Sequence, residues 1–321
     1  MSALNHTAPS PQPLVSVIMP TRNRAELLKR SIASVLAQTY GHLELIVVND
    51  GSTDHTRAVL AAITDPRLRV IHRETNAGAA AARNAGIAAA GGEFVAFQDD
   101  DDFWLVQKLE KQLAALAAEP DTVWCLCGYI RIARHRTDYI GGDFHFKQLD
   151  FRRGMGWNKP DYSLIATPAW LVRRAALGKV GVFDERLRSW DDWELGLRLF
   201  DLSVPRFVDE PLFVQDHVSG MGMMANERAR ANDLIIIMDK HGQRWADDRV
   251  VLSKHYYMIG RMSNLHESAP AAGRDWMFKS LRLAPFRVRT WFGIGLSYCD
   301  KEFTRRLTTR FRRLRIALIG A

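Results

Sequence analysis

The chain has 321 residues, of which 47% are apolar, 25% charged and 10% aromatic. That composition supplies a sizeable core and excludes a disordered, collagen-like or disulfide-stapled protein. The formal charge of +8 is uneven, −2 over residues 1–224 and +10 over residues 225–321, which argues against a uniformly basic, nucleic-acid-seeking surface.

Residues 1–13 (MSALNHTAPSPQP) are polar and Pro-rich. They lack the basic start and apolar segment of a secretory signal and read as a mobile tail. Leu14–Met19 reads as a strand, followed by the polar turn Pro20–Arg24. Leu28, Ile32, Val35 and Leu36 then recur at helical spacing, with Asn23 as the expected N-cap. A strand at Leu43–Val48 leads into the turn Asn49-Asp50-Gly51-Ser52, and a helix is expected over about Thr53–Ile63. The next strand covers Leu68–His72, and an Ala-rich helix spans about Ala79–Ala90 before Gly91-Gly92. Phe94–Phe97 is a fourth strand that runs straight into Asp99-Asp100-Asp101-Asp102, after which Leu105, Leu109, Leu113 and Leu116 mark another helix.

Strand–helix alternation with short connections implies right-handed crossovers and a parallel sheet, which binds ligands at the carboxyl ends of its strands. Pro20–Arg24, Asn49–Asp54 and Asp99–Asp102 each follow a strand directly, so topology alone brings them to one sheet edge.

Further on, Val123–Ile132 and Arg206–Gln215 read as strands around irregular Gly-, Trp- and Pro-rich segments. Asp138–Trp157 reads as a loop or lid over the site at the sheet edge. The pattern is helical from about Ala225. The expected organisation is a tail over 1–13, a catalytic domain over 14–224 and a helical region over 225–321. Cys125 and Cys127 lie in an apolar run and read as buried strand thiols without zinc-ligand partners. The odd cysteine count fits a reducing compartment. No stretch of about 18 uninterrupted apolar residues occurs, so no spanning helix is expected. The expected location is cytoplasmic, or peripheral at the inner face of the cytoplasmic membrane.

Four consecutive aspartates after an apolar strand repel one another unless something positive sits among them. They are either a solvated acidic turn with Asp102 as a helix N-cap, or hard oxygen ligands for Mn²⁺ or Mg²⁺ shared with a diphosphate. Asp50 either belongs to a simple turn in which it or Ser52 caps the next helix, or is an acceptor for a base N–H. Arg83 is either a surface arginine or a counter-charge for a diphosphate. Ser189–Glu194 is a second acidic cluster opening a helix through Leu199. Acidic residues are ordinary at a helix start, yet beside a metal–diphosphate site an aspartate there is a candidate general base. Trp190 and Trp193 are either an apolar, stacking wall for that site or core residues.

The segments VSVIMPTRNRAELLKRSIASVLAQTY, LELIVVNDGSTD, NAGAAAARNAGIAAAGGEFVAFQDDDDFW and VGVFDERLRSWDDWELGLRLF resemble, in that order, the inverting family 2 glycosyltransferases of GT-A fold. The resemblance covers roughly residues 14–217. It implies an α/β, Rossmann-like, mostly parallel sheet flanked by helices, here with a helical C-terminal extension. It further implies that Pro20, Thr21, Arg22 and Arg24 frame the base and ribose and that Asp50 binds the base. Asp99 or Asp100 would face the ribose, and Asp101 would coordinate the metal. Asp192 would be the catalytic base, with Asp191 and Trp190 on the acceptor side, and His217 would be a further metal ligand. Arg22 replaces a common Tyr, and Asn49 a frequent Asp.

The implied reaction moves a sugar from a nucleotide sugar, a UDP-sugar favoured, to a hydroxyl of a glycan or lipid-linked acceptor, with acceptor recognition expected in the irregular region 138–170. The competing readings are a non-catalytic nucleotide-sugar or glycan-binding protein and a sugar nucleotidyltransferase. The latter would want a Gly-rich triphosphate loop after the first strand, and Pro20–Arg24 contains no glycine. In Lys301–Ala321 the positions Phe303, Leu307, Phe311, Leu314 and Leu318 form one helical face opposite a row of arginines. This tail suits either an anionic membrane surface or docking on the protein itself. No nucleic-acid partner is expected.

Overall fold

Apart from Ser16 and Glu44, the runs Val15–Met19 and Leu43–Val48 are apolar on alternate and intervening positions alike, as suits strands buried on both faces. In the computed structural model, which describes residues 12–133, 136–141, 166–218, 227–264 and 270–299, they become β1 (Val15–Thr21) and β2 (Leu43–Asp50). The two pair in parallel from Val15 opposite Leu43 to Thr21 opposite Asn49. β3 (Leu68–Arg73) adds in parallel to β2, and β4 (Phe94–Phe97) to the other side of β1. The expected sheet edge therefore exists: β1, β2 and β4 all deliver their carboxyl ends to one side.

Beyond β4 the sheet is mixed rather than mostly parallel. The remaining strands are β5 (Phe103–Trp104), β6 (Trp124–Ala133), β7 (Arg136–Ile140), β8 (Leu171–Arg173) and β9 (Arg206–Asp216). The order is β3-β2-β1-β4-β8-β6-β9-β5, with β7 paired to β6. β8 joins β4 and β6 antiparallel, and β5 pairs antiparallel with β9. The two-residue β5 interrupts the stretch expected to run directly into a helix. It clamps the acidic turn against the end of β9, placing Phe103 opposite Val214.

The flanking helices are α1 (Ala25–Leu36), α2 (Thr56–Ala61), α3 (Ala79–Ala89), α4 (Lys108–Ala117), α5 (Arg174–Val180) and α6 (Asp191–Phe200). Leu28, Ile32 and Val35 of α1 are buried, as their spacing requires. Asn23 is not its N-cap. It adopts the left-handed conformation (φ 53°), and its side-chain oxygen accepts from Thr53 N at 2.8 Å, tying the first two loops together. α2 starts later than expected because Asp54 Oδ1 accepts from Thr56 N at 3.0 Å, so neither Asp50 nor Ser52 caps it. The alanines of α3 allow close packing on the sheet: at Gly86 a Cβ would overlap the Ile18 side chain. Trp124, Trp170, Phe97, Phe183 and Phe200 meet edge to face beneath β4, β6 and β8. Cys125 and Cys127 are free thiols buried in this core, and burial pushes the Cys127 thiol up to about 11.

The chain divides into two compact units, Met1–Met224 and Ala225–Ala321. In the second, α7 (Glu227–His241), α8 (Arg249–Asn264), α9 (Pro270–Leu283) and α10 (Val288–Ser297) form a helical assembly. Met277, Leu281 and Ile294 make a buried cluster there. At Gly260 of α8 a Cβ would crowd the Gly273 carbonyl and Met277 of α9, so these two helices approach closely. Among the described residues no helix is long and apolar enough to cross a membrane. Most of the expected lid and acceptor region, residues 142–165, lies outside the described residues, as does the basic segment 301–321.

Candidate active site

The carboxyl end of β4 leads through Gln98 into Asp99–Asp102. Each of the four carboxylates has a different anchor. Asp99 Oδ1 accepts from Arg83 Nη2 at 2.9 Å. Asp100 Oδ2 accepts from the Thr21 hydroxyl at 2.7 Å. Asp101 Oδ2 lies 3.4 Å from Arg24 Nη1. Asp102 is buried, and its Oδ1 accepts from the Asp216 backbone N–H at 3.0 Å. The solvated turn with Asp102 as a helix cap is therefore not what forms: Asp102 fastens β9 to the turn. The first loop also contributes as expected by position. Thr21 and Arg24 reach the aspartates, Pro20 lies in β1 just before its last residue, Thr21, and Arg22 is exposed.

Two participants were not legible in the sequence. Arg30, on α1, donates to the Asp101 carbonyl at 3.0 Å and to Asp216 Oδ2 at 2.9 Å, and its guanidinium lies 4.7 Å from the Phe103 ring centre. Asp216 ends β9. Only tertiary structure brings it to the acidic turn, because 114 residues separate it from Asp102. No local spacing signals either residue.

Asp50 is buried at the end of β2. Its Oδ2 accepts from Gly78 N at 2.8 Å and its two oxygens share Ala77 N at 3.2 Å, while Arg73 Nη1 lies 3.5 Å from Oδ1. It thus holds the entry to α3, where Gly78 has φ 100°. Asn49 Oδ1 accepts from Ser52 N at 3.1 Å and its amide meets His72 Nδ1 at 3.2 Å. An aspartate there would make the first contact but could not donate in the second.

Of the two placements open to Arg83 in the sequence, the exposed one is not what forms. Arg83 is buried on α3, and while Nη2 holds Asp99, Nη1 donates to Asp191 Oδ2 at 2.9 Å. Its guanidinium also lies 5.4 Å from the Phe183 ring centre. One side chain thus joins the acidic turn after β4 to the start of α6. α3 holds the approach to α6 a second way: Asn84 Nδ2 donates to the Phe183 carbonyl at 2.9 Å, and Phe183 N donates back to Asn84 Oδ1 at 3.0 Å.

α6 opens on Asp191, Asp192 and Glu194. Trp190 immediately before it is left-handed (φ 65°), a strained conformation for a bulky residue. Trp190 packs edge-on against Trp193, centroids 6.3 Å apart. Asp192 Oδ1 accepts from Trp193 N at 2.7 Å, and the residue keeps partial exposure.

Among the described residues, Asp99–Asp102, Asp191, Asp192 and Asp216 gather here, and Arg24, Arg30 and Arg83 pair with Asp101, Asp216, Asp99 and Asp191. Burial pushes Asp100 up to about 7 against the opposing Thr21 hydrogen bond. Burial and then the Asp99 charge raise Asp101, with Arg24 opposing. Burial, Asp99 and Asp101 raise Asp102. Desolvation and the neighbouring Asp191 charge push Asp192 up to about 7, with the Trp193 N–H and Arg83 opposing. Surplus hard oxygen donors are what a divalent cation would neutralise, so the donor chemistry fits Mn²⁺ or Mg²⁺. Among the described residues no three His, Cys, Asp or Glu side chains are grouped to hold a metal ion. His217 follows β9, is largely exposed, and donates its backbone N–H to the Ile132 carbonyl at 3.0 Å.

Residues 16–181 match the sequence model of Glycosyl transferase family 2. The chain belongs to that family. Among its relatives is the UDP-Glc:alpha-D-GlcNAc-diphosphoundecaprenol beta-1,3-glucosyltransferase WfgD of Escherichia coli, 44% identical over 103 residues, 32% of this chain and 41% of WfgD. Another is the putative colanic acid biosynthesis glycosyl transferase WcaA of Escherichia coli (strain K12), 44% identical over 195 residues, 58% of this chain and 66% of WcaA. The chain thus spans less than two thirds of either relative. The mannosyltransferase PcManGT of Pyrobaculum calidifontis, solved with GDP-Man and Mn2+, has the same fold at a TM-score of 0.56 and 22% identity, covering 89% of this chain and 85% of PcManGT. The family is the one the motifs resemble, and the GT-A fold anticipated from them is the fold of this neighbour.

Proposed function

We propose that this family 2 glycosyltransferase is an inverting enzyme that uses Asp192 as general base on an acceptor hydroxyl and takes its sugar from a nucleotide-diphosphate donor, a UDP-sugar favoured. One observation carries the reading: Arg83 ties the Asp99–Asp101 turn to the Asp191–Asp192 helix start, at the edge where the parallel strands end. Donor and acceptor chemistry then share one rigid frame. The WfgD name, with its UDP-sugar donor and diphosphoundecaprenol-linked acceptor, supports a nucleotide sugar and a glycan or lipid-linked acceptor here.

In the proposed reaction Asp192 takes the proton of the acceptor O–H as the acceptor oxygen bonds to the anomeric carbon. The bond from that carbon to the donor phosphate oxygen breaks, and its electron pair leaves with the nucleoside diphosphate. A single displacement inverts configuration and needs no sugar–enzyme bond. A raised pKa suits this base, because general bases work best with a pKa near the working pH. Asp101, with His217 as a second candidate, would hold Mn²⁺ or Mg²⁺. When bound, the cation supplies electrostatic stabilisation of the leaving diphosphate.

Thr21, Arg22, Arg24 and Pro20 would border the base and ribose with Asp99 and Asp100. Asp50 would meet the base with the acceptor capacity left after its backbone contacts. Trp190 and Asp191 would border the acceptor. Work at an inner membrane surface, with 301–321 as one contact, belongs to the same proposal. Thermal shifts with UDP-, GDP- and dTDP-sugars and Mn²⁺ test the donor. A UDP-sugar should raise the melting temperature most, and no shift with any of them would count against the reading.

A further inference from the structure

α10 carries an apolar surface that its own unit does not cover. Its inner face is short: Thr290 and Ile294 are buried against α9, where Ser280 and Met277 lie. The outward positions are apolar as well. Val288 is 78% exposed, Trp291 55% and Tyr298 69%, and Phe286 in the turn before the helix is 95% exposed. Val288, Trp291 and Gly295 fall at i, i+3 and i+7, so they line one face of the helix. A helix apolar on both its inner and outer faces requires a second apolar environment. The stripe is also pre-organised, because the Trp291 indole N–H donates to the Pro285 carbonyl at 2.8 Å and holds the ring against the turn.

The charge of the segment that carries the stripe identifies what it meets. Between Asp275 and Asp300 the sequence has no acidic residue, while Lys279, Arg282, Arg287 and Arg289 fall in the same stretch. Lys279, Arg282 and Arg289 are exposed and take part in no ion pair among the described residues. A second copy of the chain would set these like charges against each other about a two-fold axis. An anionic lipid headgroup layer would complement them. Trp and Tyr at the rim of an apolar patch, flanked by basic side chains, are the chemistry of a membrane–water interface.

We propose that the stripe Phe286–Val288–Trp291–Tyr298, with Arg289 on the same helix and Lys279 and Arg282 exposed on the helix before it, docks this chain onto the surface of a bilayer containing anionic lipid. This surface is distinct from the segment 301–321 and does not depend on the assignment of the catalytic residues.

The test is flotation of the full chain with phosphatidylcholine vesicles, with and without about 30% phosphatidylglycerol. The wild type should float with the anionic vesicles and stay behind with the neutral ones. Phe286→Ser and Trp291→Ser together should cut the floated fraction about tenfold at fixed lipid. Phe286→Ser alone, in a turn and almost fully exposed, cannot collapse the core and should give a measurable part of that loss with an unchanged melting temperature. A variant with Arg305, Arg306 and Arg310 changed to Gln should still float with the anionic vesicles.

Flotation that survives both serine variants but is lost in the tail variant would overturn the proposal. So would a wild type that never floats, or a concentration-dependent dimer abolished by Phe286→Ser. Sugar transfer to a soluble acceptor should be unchanged by Phe286→Ser, which separates failure at this surface from failure of the catalytic reading.

Discussion

Arg83 Nη1 lies 2.9 Å from Asp191 Oδ2, and both groups are largely withdrawn from solvent. The other arm of the same guanidinium reaches Asp99, so a planar fork spans two elements separated by about a hundred residues of chain. A lysine could not do this, because its ammonium is a single point of charge on a flexible stem. Arg83→Lys is therefore expected to keep one partner and release the other. In steady-state kinetics kcat should fall about 10–100-fold, with a smaller change in donor KM, because a small misplacement of reacting groups is costly. Arg83→Ala leaves two partly exposed carboxylates uncompensated and should cost about 1–3 kcal/mol in urea unfolding. An alanine variant as stable as wild type would show that the bridge carries no such load.

Removing the base should separate chemistry from binding. Asp192→Asn preserves shape and cannot accept a proton, so kcat should drop about 10²–10⁴-fold while nucleotide-sugar affinity by calorimetry stays within a few-fold. Full turnover by this variant would remove Asp192 from the role proposed for it.

Part of this arrangement could be read from the chain and part could not. Apolar runs ending in Pro20–Arg24, Asn49–Asp50 and Asp99–Asp102 were enough to bring those loops to one edge, because parallel βα units fix that geometry locally. The burial of Arg83 was not legible: an arginine among alanines on a helix looks solvated until α6 closes over it. Arg30 and Asp216 were invisible for the same reason, since β5 and β9 meet only in the tertiary fold. Asn23 looked like a cap, yet its side chain is committed to Thr53 across the neighbouring loop. Lys108 is fully buried, with its ammonium on Gln112 Oε1 at 2.7 Å and 4.1 Å from the Trp104 ring centre. Helical spacing gives no sign of that placement.

The pH dependence follows from the same carboxylate. Burial and the Asp191 charge push Asp192 up to about 7 in the free protein. It must be deprotonated to act, so kcat/KM should fall about tenfold per pH unit below that value and level off above it. Stability has the opposite sense. The folded state holds this proton more tightly than the unfolded chain does, so the contribution is fully present below the ordinary aspartate value and is lost as pH rises through about 7. Asp192→Asn should therefore unfold at higher urea than wild type at pH 8, by about 1–4 kcal/mol, with the gap closing toward pH 4. Equal stability at both pH values would mean that the carboxylate is not strained by its surroundings.

Asp101 offers the sharpest test of the metal. It sits in the acidic turn with Arg24 at 3.4 Å, and burial together with the Asp99 charge raises it, so the bare turn is under electrostatic stress. A divalent cation shared with a diphosphate relieves that stress, which couples metal and donor binding in both directions. Calorimetry on the wild type should show nucleotide-sugar binding that strengthens with Mn²⁺ and weakens when EDTA removes it. Asp101→Ala should abolish the metal-dependent part and bind donor equally weakly with and without Mn²⁺. Asp101→Asn removes the charge but keeps the shape and one carbonyl oxygen, so it should fall between the two. An alanine variant whose donor affinity still rises with Mn²⁺ would move the metal to other ligands and leave Asp101 as a partner of Arg24 alone.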